Sequence, residues 1–382
     1  MGTRLSSIDR LRGLVMVLMA VDHVRDFVGA DVPFLGIDVA RLGAPLFLTR
    51  WITHFCAPVF LLLAGASVGM QVHAGKSVPE LRRFLVTRGL FLVLLELTVI
   101  DFGWTFDPGF HAVMLGVIWV IGWSMVALAV FVGRSSTLAL VFGVGTIVGH
   151  HLLDGLRADA FGPLAPLVSL LHEPHGFEPI AGHRVIVLYP FVPWVGVMAA
   201  GYALADWLVR PEPGRRVRLV ALGLGVTLAF AVLRGANVHV DPRPWTPQPT
   251  PGLSLLSILD CTKYPPSAAY LAMTLGPALV ALAYLDRLPA SLARPFETLG
   301  RAPLVYYVLH IYLAHLGAIV LYLTVYGARV FEFAAHPDAR PRFPLVVVYL
   351  GALAIAAALV PVCRRFAELK RTRKDLAILS YV

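Results

Sequence analysis

The chain has 382 residues, of which 58% are hydrophobic and only 14% are charged. A soluble domain has about half apolar and a quarter charged residues, so this composition excludes a soluble globular protein and a disordered or collagen-like chain. The formal net charge of +9 does not call for a nucleic-acid partner, because basic residues also orient membrane proteins. The composition therefore indicates an all-α, polytopic integral membrane protein.

Ten apolar stretches have the length of about 20 residues that a helix needs to cross a bilayer. They cover residues 11–28, 55–72, 84–100, 112–132, 137–153, 185–208, 217–233, 268–285, 304–326 and 345–362. The first stretch contains Asp22 and His23 and is not followed by a cleavage site, so we do not expect it to be a removable signal peptide. We expect a single transmembrane domain over residues 1–382 with about 10 transmembrane helices.

The distribution of basic residues predicts the orientation of these helices. An even number of spans places both termini on one side, and that side carries 21 of the 32 Lys and Arg residues. The positive-inside rule makes this side cytoplasmic, so both termini are predicted to be cytoplasmic. Residues 364–382 then form a basic cytoplasmic tail, which we expect to contact anionic membrane lipids.

Ionisable residues cluster at one predicted depth of the membrane. Arg12 and His23 are eleven residues apart, which places them on one face of the first helix and about 16 Å apart along its axis. Asp22 is adjacent to His23, His54 precedes the second stretch, and Glu96 lies in the third at similar depth. Because charges in lipid are costly, such groups usually mark a reaction site or a pathway.

Two further groups of residues are candidates for binding a ligand. Arg82, Arg83 and Arg88 lie at the cytoplasmic start of the third stretch, where they either set the orientation or hold the phosphates of a cytosolic cofactor. Tyr307 and His310 form a polar, aromatic stripe on the ninth stretch. The three cysteines are scattered along the chain, so we predict neither a disulfide nor a metal framework.

Three segments resemble the bacterial branch of the heparan-α-glucosaminide N-acetyltransferase catalytic-domain family, which belongs to a wider group of transmembrane acyltransferases. These segments are RLSSIDRLRGLVMVLMAVDHVRDF, RWITHFCAPVFLLLAGAS and GRAPLVYYVLHIYL. The wider group shares an Arg, ten intervening residues and a His in the first span, which match Arg12 and His23 here. Asp9 and Gly13 fit the same pattern.

The resemblance implies acyl transfer from cytosolic acetyl-CoA to an extracytoplasmic acceptor, such as a sugar or glycan hydroxyl or amine, at a bacterial inner membrane. Arg12 and the three arginines of the third stretch would hold the phosphates of acetyl-CoA, and its arm would pass Tyr307 and His310. No metal is expected to take part. The acceptor, the acyl chain and the oligomeric state stay open.

One departure from the family changes the expected catalytic residues. Counting back from Pro58, the catalytic His of the eukaryotic enzyme falls on Ala44, and the following Asp falls on His54. We therefore expect His23 and His54 to act, one of them as general base or acyl carrier, with Asp22 or Glu96 orienting it.

Two other classes of protein would use the same residues differently. A proton-coupled transporter could relay protons through Asp22, His23 and Glu96, and it would predict an inverted repeat, which the sequence does not display. A haem or quinone protein could use pairs of histidines as ligands, and an absorption spectrum would reveal the haem.

Overall fold

The computed structural model describes residues 5–29, 39–335, 340–373, 375–376 and 378–381. Its α-helices are α1 Ser6–Val28, α2 Val39–Leu42, α3 Ala44–Thr53, α4 Cys56–His73, α5 Val78–Leu95, α6 Asp101–Thr105, α7 Val117–Leu128, α8 Ser136–Gly149, α9 Ala165–Leu171, α10 Phe191–Leu208, α11 Gly214–Gly235, α12 Pro251–Leu259, α13 Ala268–Tyr284, α14 Ala290–Gly300, α15 Pro303–Tyr326, α16 Val330–Ala335, α17 Leu345–Thr372 and α18 Ile378–Tyr381. The strands are β1 Ala112–Leu115, β2 Gly176–Ile180 and β3 His183–Val187. The predicted all-α class is confirmed.

Among the described residues, seven helical segments are long and apolar enough to cross a membrane. They are Ala44–His73, Ser136–Leu153, Phe191–Leu208, Gly214–Gly235, Ala268–Arg287, Pro303–Arg329 and Leu345–Thr372. The other three predicted spans coincide with α1 and α5, which carry several charged residues, and with α7, which has only 12 residues. The protein is thus a multi-pass membrane protein, and the number of ten spans stays a prediction.

Burial separates the inner helices of the bundle from the outer ones. The most apolar window of α10 is 67% buried, whereas those of α11 and α17 are 17% and 22% buried. Exposed leucine and valine side chains cover these outer helices. Such surfaces suit contact with lipid tails, so α4 and α10 form the centre while α8, α11 and α17 face outward.

Glycines allow the central helices to approach at backbone distance. A Cβ atom on Gly65 of α4 would lie 1.9 Å from the carbonyl oxygen of Met198 on α10. A Cβ atom on Gly13 of α1 would lie 1.8 Å from the carbonyl oxygen of Phe296 on α14. Small residues commonly permit such close packing in membranes, where van der Waals contact is the main attraction between helices.

Two predicted spans begin differently from expectation. Residues 112–115 and 185–187 are strands, in a three-stranded sheet of order β1-β3-β2 in which β3 pairs parallel with β1 and antiparallel with β2. Helix α7 starts only after Gly116, whose backbone is extended, and α10 starts only after Pro190. These breaks leave the β-branched residues before them free to pair as strands.

The helix that continues α5 contains one π-helical turn, Glu96–Ile100, before it becomes α6. The wider turn displaces the backbone and re-aims the side chains beyond it. Single π turns of this kind are frequent at functional sites.

Buried charges order the segment that connects α11 to α13. The guanidinium of Arg234, which is 2% exposed, donates hydrogen bonds to the carbonyl oxygens of Ile258 at 3.2 Å and Asp260 at 3.0 Å. The carboxylate of Asp241 accepts from the Thr262 amide at 2.8 Å and the Ser267 hydroxyl at 2.6 Å. Because each buried polar group has partners, this segment has a defined conformation despite its many prolines.

Candidate active site

A cavity of about 750 Å³ runs into the bundle from the end where α1 begins and α17 ends. Its lining includes six cationic side chains and one carboxylate, namely Arg12, Arg88, Arg301, Arg364, Lys370, Arg371 and Glu368. The deeper lining is apolar, with Leu92, Val117, Ile118 and Met125, and it reaches Tyr307. The cavity therefore combines a positively charged entrance with an apolar interior, which suits a ligand with an anionic head and a long arm.

Next to the deep end of this cavity lies a pair of imidazoles. His23 Nδ1 is 2.7 Å from His310 Nε2, and the two rings are stacked at 4.8 Å between centroids. The ring of Tyr307, which lines the cavity, is 6.2 Å from the ring of His23 and 5.5 Å from that of His310. The cavity thus ends one side chain away from the imidazole pair.

The hydrogen bonds of this pair assign the protons on both rings. His310 Nδ1 lies 3.0 Å from the carbonyl oxygen of Tyr306, which can only accept, so Nδ1 carries the proton of a neutral His310. Its Nε2 is then an acceptor, and His23 Nδ1 must donate to it. The lone pair of His23 therefore lies on Nε2, where it can accept a proton from a substrate.

Asp22 faces a different set of partners from its neighbour His23. Its carboxylate is 2.8 Å from the guanidinium of Arg25 and accepts a hydrogen bond from the hydroxyl of Thr53 at 2.9 Å. In the described part of the chain, no hydrogen bond joins Asp22 to His23. The hydrogen bond to His23 that was expected from Asp22 comes from His310 in this structure, because adjacent residues of a helix point to different faces.

His54 is buried next to Tyr270 and not against His23. Its ring is 5.3 Å from the Tyr270 ring, whose hydroxyl donates to the His54 carbonyl oxygen at 2.7 Å. Neither ring nitrogen of His54 has a hydrogen-bond partner among the described residues. The structure therefore pairs His23 with His310, and it provides no hydrogen bond or ring contact between His23 and His54 within the described ranges.

Glu96 caps the beginning of α7. Its carboxylate, 2% exposed, accepts a hydrogen bond from the Trp119 amide at 3.1 Å, and it lies so close to Gly116 that a Cβ there would be 2.5 Å from Oε1. The first amides of a helix have no partner within the helix, and a carboxylate satisfies them and the positive end of the helix dipole. Capping α7 is therefore sufficient to explain why Glu96 is buried, and no contact with an imidazole is needed.

The predicted basic residues divide into two groups. Arg12 and Arg88 line the cavity, where Arg12 donates to the Ser67 hydroxyl at 3.2 Å and the buried Nε of Arg88 has no hydrogen-bond partner among described residues. Arg82 instead donates to the carbonyl oxygen of Val132 at 2.8 Å, and Arg83 is exposed. Neither of these two is part of the cavity lining.

Sequence reasoning missed the contribution of the C-terminal basic residues to the cavity. The predicted tail begins at residue 364, but α17 continues helically to Thr372 and brings Arg364, Lys370 and Arg371 into the lining. Arg364 and Arg371 are seven residues apart, which is about two turns and would have placed them on nearly one helical face. This spacing is visible in the sequence, but it does not show that this helical face lines a cavity.

A family of known proteins matches more than half of the chain. The family model for heparan-alpha-glucosaminide N-acetyltransferase, catalytic, matches residues 4–236, which include Arg12, His23, Arg88 and Glu96. His310 and Tyr307 lie beyond the matched residues. No curated protein matches the chain. The chain belongs to the heparan-alpha-glucosaminide N-acetyltransferase catalytic-domain family, and with its long apolar helices it is a membrane-embedded acetyltransferase of that family.

Proposed function

We propose that the protein transfers an acetyl group from cytosolic acetyl-CoA to a sugar or glycan hydroxyl or amine on the extracytoplasmic side of a bacterial inner membrane. The observation that carries this proposal is the continuity between the cationic cavity and the His23–His310 pair, with Tyr307 belonging to both. A donor with an anionic nucleotide and a long apolar arm matches that arrangement.

The cationic mouth suits the phosphates of CoA. Arg88 presents a buried Nε that lacks a partner, and Arg301 and Arg364 line the same mouth. Guanidinium groups bind phosphate through paired, charge-assisted hydrogen bonds, which makes arginine well suited to this task. The apolar wall formed by residues such as Leu92 and Ile118 would then surround the pantetheine arm.

His23 would act as the general base of the transfer. The acceptor O–H or N–H gives its proton to His23 Nε2 while its oxygen or nitrogen bonds to the thioester carbonyl carbon. The C–S bond then breaks, and the His23 imidazolium returns the proton to the departing thiolate, so CoA leaves as its thiol. The lone pair of His310 Nε2 stabilises the imidazolium through the 2.7 Å hydrogen bond.

His54 would serve the acceptor. His54 follows Thr53, whose hydroxyl is hydrogen-bonded to Asp22, and Asp22 precedes His23. His54 is therefore close to the depth of His23 in the membrane, on the outer side. Its two unpartnered ring nitrogens could bind an acceptor hydroxyl. Asp22 and Glu96 would contribute indirectly, through the positions of α1 and α7.

The test uses membrane vesicles of both orientations that contain the full chain and labelled acetyl-CoA. Label should enter the extracytoplasmic glycan fraction only when the donor reaches the cytoplasmic face, and free thiol should appear in equal amount. Vesicles with His23→Ala should give both products about 10²–10⁴-fold more slowly. Absence of transfer to any cell-envelope fraction, together with proton-driven uptake of a solute by the purified protein, would instead establish the transporter.

A further inference from the structure

A second cluster of histidines lies at the outer end of α8, apart from the proposed reaction site. His150 is 3% exposed, and its Nδ1 donates to the carbonyl oxygen of Ile147 at 2.9 Å. Because a neutral imidazole carries one proton, the lone pair lies on Nε2, which is buried and has no hydrogen-bond partner among the described residues. Burying a hydrogen-bond acceptor without a donor costs free energy, and a bound ligand at this nitrogen would remove that cost.

His172, which follows α9, provides a second nitrogen of the same kind. It is 4% exposed, its Nδ1 is buried without a partner in the described part of the chain, and its ring is 5.7 Å from that of His150. An imidazole nitrogen without a hydrogen-bond partner is the kind of histidine atom that binds a metal ion.

A carboxylate and a third imidazole complete the cluster. Asp154 Oδ2 is 3.2 Å from Nε2 of His239, which is about the separation of two ligand atoms on one zinc ion at bond lengths of about 2.0–2.1 Å. The ligand atoms of His150, His151 and Asp154 all lie within 4.8 Å of one another. Asp154 is therefore close to His150 as well as to His239.

His151 is positioned as a support and not as a ligand. Its Nε2 accepts a hydrogen bond from the Ala268 amide at 3.0 Å, so its Nδ1 carries the proton and donates it to Asp154 Oδ2 at 2.7 Å. Both ring nitrogens are thus engaged. A hydrogen bond of this kind fixes the orientation of a metal-binding carboxylate.

We propose that His150, His172, His239 and Asp154 bind one zinc ion at the outer face of the protein. Imidazole nitrogens and carboxylate oxygens are both zinc ligands, and with four protein ligands the site would be tetrahedral and structural. The ligands come from three segments, namely the turn after α8, the end of α9 and the connection after α11. The ion would therefore join the two long outer connections of the chain, and this inference does not depend on the proposed acyl transfer.

The experiment measures zinc binding by the full chain in detergent after its metals have been removed with a chelator. The stripped protein should take up one zinc per chain from micromolar free zinc, as measured by elemental analysis. His239→Gln tests the site without disturbing the core, because this side chain is 66% exposed. It should weaken zinc binding about 10–100-fold or more, as should His151→Gln through the orientation of Asp154.

The matched control is the double variant His111→Gln, His183→Gln, because these residues form another stacked pair of imidazoles, 5.5 Å apart, outside the cluster. This variant should bind zinc as tightly as the unmodified chain. The proposal is overturned if the stripped chain takes up no zinc, or if His239→Gln and His172→Gln bind it as tightly as the control.

Discussion

The chemistry proposed for this protein depends on which nitrogen of one imidazole holds the proton. The Tyr306 carbonyl oxygen fixes the tautomer of His310, and His310 in turn fixes that of His23. Many nucleophilic and acid–base sites combine a base with a group that orients it, and in this proposal the orienting group is a second imidazole. In this arrangement His23 does not require a charged partner. Asp22 accordingly bonds to Arg25 and Thr53 instead.

Replacing His23 with Ala should lower the rate of acyl transfer about 10²–10⁴-fold, because a positioned general base contributes that factor. Binding of CoA should be unchanged, since His23 is not part of the cavity lining. Steady-state kinetics and calorimetric titration with CoA provide the two measurements. His73→Ala is the control, because His73 is half exposed and pairs with Asp206 elsewhere. Turnover of His23→Ala at the rate of the unmodified chain would remove this residue from the mechanism.

Arg88 and Arg83 belong to one basic stretch but differ in their surroundings, which makes them a matched pair. Arg88→Met should weaken CoA binding about 10-fold or more, since hydrogen bonds to charged groups contribute about 1.5–3 kcal/mol. Arg83→Met should leave the dissociation constant unchanged, because Arg83 is exposed and outside the cavity lining. Equal effects of the two substitutions in a CoA titration would contradict the assignment of the phosphate site.

At the level of helices, the position of Arg12 depends on the contact between α1 and α14. Gly13 and Gly300 each face a carbonyl oxygen of the opposite helix, so that a Cβ on Gly300 would lie 1.9 Å from the oxygen of Asp9. The two helices meet next to Arg12, whose guanidinium donates to the Gly300 carbonyl at 3.1 Å. Close packing here therefore sets the cationic mouth of the cavity.

Gly13→Ala should destabilise the protein by about 1–3 kcal/mol, because the added methyl group must displace the backbone of α14. The thermal midpoint of the detergent-solubilised protein is the measurement. Gly145→Ala is the control, since a Cβ at Gly145 of α8 meets no atom within 4 Å. If both variants melted at the temperature of the unmodified chain, the α1–α14 contact would not be as close as described.

The helical elements also show where sequence reasoning succeeded. The face shared by Arg12 and His23 follows from helical geometry alone, and both residues lie along the path from the cavity mouth to the imidazole pair. The partner of His23 could not be derived in that way, since the rotation of α15 against α1 depends on packing and not on depth. The sequence predicts an imidazole as a partner of Glu96, whereas the structure aims Glu96 at α7. The π turn that causes this direction leaves no clear signal in a sequence.

At the scale of the whole molecule, the beginning and the end of the chain meet at one cavity. Arg12 of α1 and Lys370 and Arg371 of α17 all line it, so the first and last long helices present these ends on the same face. This arrangement agrees with the excess of basic residues that predicts a cytoplasmic location for both termini. Under the proposed function, the basic end of α17 would face the nucleotide as well as the lipid surface.

The double variant Lys370→Gln, Arg371→Gln should raise KM for acetyl-CoA about 10-fold while leaving kcat unchanged, because these cavity-lining residues would bind the nucleotide equally in the ground state and the transition state. Arg373→Gln is the control, as its guanidinium is bound to Asp375 at 2.8 Å and does not line the cavity. An unchanged KM in the double variant, with reduced binding to anionic vesicles, would indicate that this end of α17 serves the lipid surface alone.

The central claim is tested most directly by the structure of the protein bound to a non-hydrolysable acetyl-CoA analogue, determined by cryo-electron microscopy. The account predicts density for the nucleotide among Arg88, Arg301 and Arg364, with the arm extended past Tyr307 and the carbonyl carbon beside His23 Nε2. Density for the donor at another surface, or a wall of side chains that separates the arm from His23, would contradict it.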